Sequence, residues 1–222
     1  MINIEHLTKT YNEGRANECK VLIDVNLEVN RGEKISIMGK SGCGKSTLLH
    51  IIALIDSFQK GEYKFNNTSV CTMSNQELAR LRNKSIGLVL QDFALISEYT
   101  VMENVLLPTM FTKCDNHEMK KRAEMLLSKT GLIKLKNHYA SQLSGGQKQR
   151  VAICRSLIND PDLILADEPT GSLDPQTGTE IISLLIEMCD SNKALIVITH
   201  DLDIAHQFPL KYQLSNGTLA RI

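Results

Sequence analysis

The chain of 222 residues has no long apolar run, no excess of either charge and no paired cysteine spacing, and each absence removes a class of protein. Its most apolar stretch, Leu48 to Ile55, is interrupted by His50. It falls well short of the roughly 20 apolar residues that a membrane-spanning helix needs. The chain is therefore expected to be soluble unless something else holds it at a membrane. Lys plus Arg (25) balance Asp plus Glu (25), so no global field draws it to nucleic acid, and no nucleic-acid partner is expected. Cysteines 19, 43, 71, 114, 154 and 189 include no C-x-x-C pair, which argues against a zinc site or a thioredoxin-like motif. Unpatterned cysteines suit a reducing cytosol. Met1 to Tyr11 alternates like a strand and carries Glu5 early, so no signal peptide is expected. There is no internal repeat and no low-complexity tract. A chain of this length suits one domain, or one with an inserted lobe, and needs neither disulfides nor metal to hold a core.

What is present is an alternation of strands and helices. From Val21 to Val29 the odd positions are Val, Ile, Val, Leu and Val, with polar residues between them, which predicts a half-buried strand. Arg31-Gly32 makes a turn into Lys34–Met38, a short buried strand that runs into Gly39. An apolar helix is expected over Lys45 to Leu54. Further strands are expected at Glu62–Phe65, Ile86–Leu90, Leu163–Ala166 and Leu195–Ile198. The last three are near-continuous apolar runs, as in parallel strands covered on both faces. The fold class is α/β. Between about Asp92 and Leu157 the texture changes: Glu118–Leu127 and Gln147–Ile158 read as helices with no strand between them. This predicts a helical lobe, 92–157, inserted into an α/β core formed by 1–91 and 158–222.

Gly39-Lys40-Ser41-Gly42-Cys43-Gly44-Lys45-Ser46 fits the Walker A pattern G-x-x-x-x-G-K-[ST] and sits where such a loop must, between a buried strand and a helix. Glycines let successive N–H groups turn inward around phosphate oxygens, and the helix that follows aims its positive end at them. Lys45 is the candidate for holding the β- and γ-phosphates of ATP, and the Ser46 hydroxyl for Mg²⁺; Thr47 continues the nucleotide-contacting segment. Leu163-Ile164-Leu165-Ala166-Asp167-Glu168 ends an apolar strand in two carboxylates, at the strand end where open α/β sheets bind ligands. Asp167 is the candidate for supporting Mg²⁺, and Glu168 for the base that polarises the attacking water.

In Leu143-Ser144-Gly145-Gly146-Gln147, Ser144 is placed to cap a helix whose first N–H groups the two glycines leave uncovered, a second anion-binding terminus. These motifs, in this order and over nearly the whole chain, resemble the ABC transporter ATPase family, whose signature is LSGGQ. The resemblance implies a P-loop NTPase sheet core with an N-terminal antiparallel β part and an inserted helical lobe. It also implies a head-to-tail pair, of this chain with itself or with a homologous ATPase. In that pair Ser144, Gly145, Gly146 and Gln147 of one subunit face ATP on the Walker A loop of the other. By the same resemblance Tyr11 stacks on adenine, Gln91 reaches Mg²⁺ and the attacking water, Ser172-Leu173-Asp174 is the D-loop, and His200 contacts the γ-phosphate. The family often has Ala where Gly171-Ser172 stand.

The resemblance further implies an integral membrane permease as partner and a cytoplasmic protein, peripheral on the inner face of the cell membrane. Phe93, Leu95, Ile96, Tyr99 and Val101 concentrate apolar groups just past Gln91, and some of them are expected to form a groove for a short helix of that partner. The segments Glu103–Pro108 and Ala166–Asp174 resemble the class serving macrolide exporters, lipoprotein-releasing complexes and antimicrobial-peptide transporters. Phe93–Ile96 followed by Glu98–Val101 is similar to bacteriocin-export members. The expected work is export or extraction of a peptide, lipoprotein or drug. Other readings remain open: a regulatory ABC module on a membrane protein that does not transport, a soluble P-loop kinase, and an ABC ATPase outside transport.

Overall fold

The computed structural model describes residues 1–112 and 114–222. The N-terminal alternation forms two antiparallel strands, β1 (Ile2–Tyr11) and β2 (Cys19–Val29), paired from Ile2 opposite Val29 to Tyr11 opposite Cys19. The turn at Gly32 leads to β3 (Lys34–Met38), and the glycine loop then opens α1 (Lys45–Ile52). This helix stops short of the expected Leu54 because Leu54 takes a left-handed backbone, with φ of 59°. Next come β4 (Lys60–Phe65), the short β5 (Thr68–Ser69) and α2 (Asn75–Ser85), which feeds β6 (Ile86–Val89). Three helices follow, α3 (Val101–Leu106), α4 (Asn116–Lys129) and α5 (Gly145–Leu157). The chain returns to the sheet through β7 (Leu163–Asp167), α6 (Pro175–Met188), β8 (Ala194–Thr199), α7 (Leu202–Ala205), β9 (Leu210–Ser215) and β10 (Thr218–Arg221).

Two sheets result. The antiparallel one has the order β2-β1-β4-β5, and the other β10-β9-β3-β8-β7-β6, parallel from β9 to β6 with β10 turned back along its edge. Alternation on the parallel strands divides the interior in two. Leu163, Leu165, Ala194, Ile196 and Ile198 face the antiparallel sheet and α1. Ile164, Ala166, Leu195 and Val197 face α5 and α6 on the other side. A strand buried on both faces cannot show polar alternation, which is why these segments read as continuous apolar runs.

Between Asp92 and Leu157 the described residues hold helices and a single isolated bridge, Thr100 to Tyr139. Helix α5 packs on β6 and α6 as well as on α3 and α4, so it ties this helical region to the sheet. Val101 is fully buried, and Leu95 packs against the same cluster. These two expected groove residues are therefore part of the interior.

The loop after Gln91 hangs on one side chain. Asn104 is fully buried and accepts from the Ile96 N–H at 2.8 Å. Its amide donates to the carbonyls of Ile96, Tyr99 and Thr100 at 3.0, 3.3 and 3.0 Å. Loss of a buried partner strands those groups without water. Asn104→Ala is expected to lower the unfolding free energy by about 2–3 kcal/mol in a urea titration. A change below about 0.5 kcal/mol would mean that the loop holds itself.

Candidate active site

The carboxyl ends of four neighbouring parallel strands meet at one edge of the sheet. Gly39 follows β3, Gln91 follows β6, Asp167 ends β7 and His200 follows β8. A cavity of about 590 Å³ opens there, lined by Ser41, Gly42, Gly44, Lys45, Ser46 and Thr47 of the glycine loop. Gln91, Asp167, Glu168 and His200 close it from the sheet, and Val21 from β2. Residues separated by up to 179 positions in the sequence, Val21 and His200, thus line one cavity.

The loop leaves the start of α1 open to the cavity. Among the described residues every other α-helix has a side-chain N-cap, from Ser74, Thr100, Asp115, Ser144, Asp174 and Asp201 in turn. Helix α1 has none, and its first turn contains no acidic residue. Its leading N–H groups have no acceptor within the helix, and their partial positive charge points into the cavity. Gly44, at the N-cap position, has φ of 104°. The Lys45 ammonium, largely buried, donates to the carbonyls of Gly39 at 2.7 Å and Lys40 at 3.1 Å, and so curls the loop around itself. Gly39 and Lys40 therefore contribute carbonyls to the loop rather than cavity wall. Cys43 packs its side chain against the core and leaves only its backbone to the loop.

On the sheet side Glu168 takes a left-handed φ of 44°, fixed by its N–H donating to the Ile198 carbonyl and its carbonyl accepting from Gly171. Its carboxylate meets His200 twice. The ring Nδ1 lies 2.8 Å from Oε1, and the backbone N–H donates to Oε2 at 3.3 Å. Asp167 is a contrast. Burial pushes its carboxyl up, the Ser46 hydroxyl that hydrogen-bonds to it pulls down, and the neighbouring Glu168 charge pushes up again, leaving a net rise.

Ser144, Gly145, Gly146 and Gln147 do not line this cavity. Ser144 and Gln147 form a reciprocal cap, with the Ser144 hydroxyl accepting from the Gln147 N–H and the Gln147 side chain accepting from the Ser144 N–H. The glycines allow close packing. A Cβ on Gly146 would stand 2.8 Å from the Thr177 methyl, and one on Gly145 3.2 Å from Leu173. Tyr11 also lies outside the lining, at the end of β1, with its hydroxyl on Asp56.

Two contacts carry no signal in the sequence. Gln149 of α5, fully buried, donates to the Pro169 carbonyl at 2.7 Å and binds that helix to the loop just past Glu168. The Ser172 hydroxyl donates to the Gln91 carbonyl at 3.3 Å, and the Gln91 side chain fills the space beside Gly171. Both depend on elements meeting across long stretches of chain.

Comparison with known proteins agrees with this geometry. Residues 22–171 match the family described as "ABC transporter". The chain is 41% identical over its full length to the lipoprotein-releasing system ATP-binding protein LolD of Treponema denticola, covering 98% of that protein. It is 39% identical over 99% of its length to the macrolide export ATP-binding/permease protein MacB of a Shewanella species, of which it spans 34%. Among solved structures it resembles a dimeric, post-hydrolysis form of the ATP-binding cassette MJ0796 bound to ADP and phosphate. There the identity is 40%, the TM-score 0.89, and the coverage 100% of this chain and 97% of that one.

A Cβ on Gly44 would lie 2.9 Å from the Val21 side chain and 3.0 Å from its carbonyl, at a backbone angle that side chains disfavour. Gly44→Ala is expected to lower stability by about 1–3 kcal/mol. It should also weaken ATP binding at least tenfold, as read by calorimetry. Wild-type affinity would show that the loop tolerates reshaping.

Proposed function

The chain belongs to the ABC transporter family of ATP-binding subunits, and on that premise we propose how its residues divide the work of ATP hydrolysis and which surfaces its partners occupy. It is an ATP-hydrolysing subunit that acts as a dimer and powers a transporter. The observation carrying the assignment of roles is the convergence of Lys45, Ser46, Gln91, Asp167, Glu168 and His200 on one cavity.

The triphosphate of ATP sits on the uncapped end of α1, and Lys45 exchanges loop carbonyls for phosphate oxygens. Glu168 accepts a proton from water at a carboxylate oxygen as that water attacks the γ-phosphorus in line; ADP leaves with the electrons of the broken bond. His200 keeps the carboxylate aimed, and Gln91 orients the water. The oxygens of Ser46, Asp167 and Gln91, all on the wall of one cavity, form a hard donor set that fits Mg²⁺. When bound, Mg²⁺ supplies neutralisation of phosphate charge. The Ser144–Gln147 helix end completes the site of the second copy, in a head-to-tail pair.

The partner is a membrane permease, which places the subunit at the inner face of the membrane; no described helix is long and apolar enough to cross one. Its docking surface is a second cavity of about 760 Å³, among whose lining residues are Ala79, Arg80, Leu107, Pro108, Phe111 and Arg155. Of the residues expected for this groove, Phe93, Leu95, Ile96, Tyr99 and Val101 do not line it, whereas Ala94 does. Arg155 donates to the carbonyls of both Phe93 and Ala94, whose φ angles are 62° and 46°, so a helix seated here pulls on the segment next to Gln91. The relatives named for lipoprotein release and macrolide export support extraction or export of a lipoprotein or drug as the work done.

Glu168→Gln is expected to abolish turnover and to accumulate an ATP-bound dimer on size exclusion; undiminished turnover would remove Glu168 from the base role. Phe111→Cys, in a background with the exposed Cys19, Cys71 and Cys114 changed to Ser, is expected to crosslink to an integral membrane protein in membranes. Crosslinks to soluble proteins alone would count against this surface.

A further inference from the structure

Lys9 is a cation where few are found: inside, with 4% of its surface exposed. Its ammonium donates to Asp56 Oδ1 at 2.7 Å and to the Ser57 carbonyl at 2.6 Å. It also lies 4.7 Å from the centroid of the Tyr11 ring, over its face. The Tyr11 hydroxyl donates to the other oxygen of the same carboxylate at 2.8 Å. Burial pushes the Asp56 carboxyl up, but the hydrogen bonds from Lys9, Tyr11 and Ser57 outweigh it and hold the group below the ordinary range, ionised. One side chain thus fixes both the tip of the ring and the cation on one of its faces.

The intervening residue is fixed by the same loop. The Thr10 N–H donates to the Gln59 side chain and its carbonyl accepts from it, both at 2.9 Å. Lys9, Thr10 and Tyr11 are therefore all bonded to the segment leaving α1, the helix whose other end forms the phosphate site. An exposed surface tyrosine needs no such clamp, since single surface aromatics are ordinary. A ring that must meet a flat ligand does, because stacking on a mobile ring costs the entropy of ordering it.

We infer that Asp56, with Lys9, is a positioning residue for nucleotide recognition, holding the Tyr11 ring with one face capped by the ammonium and the other presented to adenine. This rests on the reading of Tyr11 as the adenine-stacking residue. The geometry allows that reading. Tyr11 pairs with Cys19, two residues along β2 from Val21, which lines the phosphate cavity. That separation is on the order of 7 Å along the strand.

The test compares ATP with inorganic tripolyphosphate, which offers the same anion to the glycine loop but no base. Stacking on an aromatic is worth roughly tenfold or more in affinity, so Tyr11→Ala is expected to raise the Kd for ATP at least about tenfold. Asp56→Ala should raise it about fivefold and Tyr11→Phe, which keeps the ring and the Lys9–Asp56 pair, about threefold. All three should leave tripolyphosphate within about twofold and change KM for ATP but not kcat. In a Tyr11→Ala background, Asp56→Ala should cost nothing further. Equal weakening of both ligands, or a full penalty for Asp56→Ala without Tyr11, would make the cluster a structural pin and overturn the inference. If Tyr11→Ala weakens ATP while Asp56→Ala and Tyr11→Phe do not, the positioning role alone fails. If Tyr11→Ala has no effect, the stacking role and the inference fall together. Should Asp56→Ala not fold, Tyr11→Phe reads the same hydrogen bond from its other end.

Discussion

Parallel pairing is the constraint from which the active site follows. Strands β3, β8, β7 and β6 lie side by side and run the same way, so all four end at one edge. Each hands over a different chemical group there: a glycine loop, a histidine, a pair of carboxylates and a glutamine. An antiparallel sheet would have sent half of them to the opposite edge. Parallel strands need crossovers, and the crossovers cover both faces. The burial that makes the sheet stable and the alignment that makes the cavity are therefore one arrangement.

The residues around that cavity are held partly by one another and partly by groups outside its lining. His200 and the Ile198 carbonyl fix Glu168 in a left-handed backbone, Gln149 holds the next turn through Pro169, and Ser172 steadies Gln91. The left-handed φ values at Glu168, Phe93 and Ala94 lie at the junctions between strand ends and the helical region. Strained backbone at such places persists only when neighbours over-determine it. The path from the apolar groove to the cavity is short, since Arg155 holds Phe93 and Ala94, and Gln91 lies two residues before Phe93.

What the sequence disclosed depended on distance along the chain. The glycine loop, Asp167-Glu168 and Ser144–Gln147 are local patterns whose chemistry is carried by adjacent residues, so they are legible without a structure. The apolar strands are legible too, because burial on both faces leaves a continuous run. Strand β9 was missed: Leu210–Ser215 is only partly buried and mixes Lys, Tyr and Gln without clear alternation. An apolar run past Gln91 does not say which side chains turn inward: Leu95 and Val101 join the interior because Asn104 holds that loop against it. Nothing in the order of residues brings Asp56 to Tyr11 or Gln149 to Pro169, at separations of 45 and 20 positions.

Helix α1, lacking the cap that every other α-helix has, is left incomplete by its own chain. On the proposed reading a nucleotide phosphate supplies there what Ser, Thr or Asp supplies elsewhere, which makes the nucleotide a piece of the secondary structure as well. By mass action a ligand at a hundred times its dissociation constant adds about 2.7 kcal/mol to the folded state, a sizeable share of the roughly 5–15 kcal/mol that holds a domain together. Occupancy of that helix end by any nucleotide phosphate is thereby linked to the stability of the fold, so emptying the cavity loosens the domain as well as idling it.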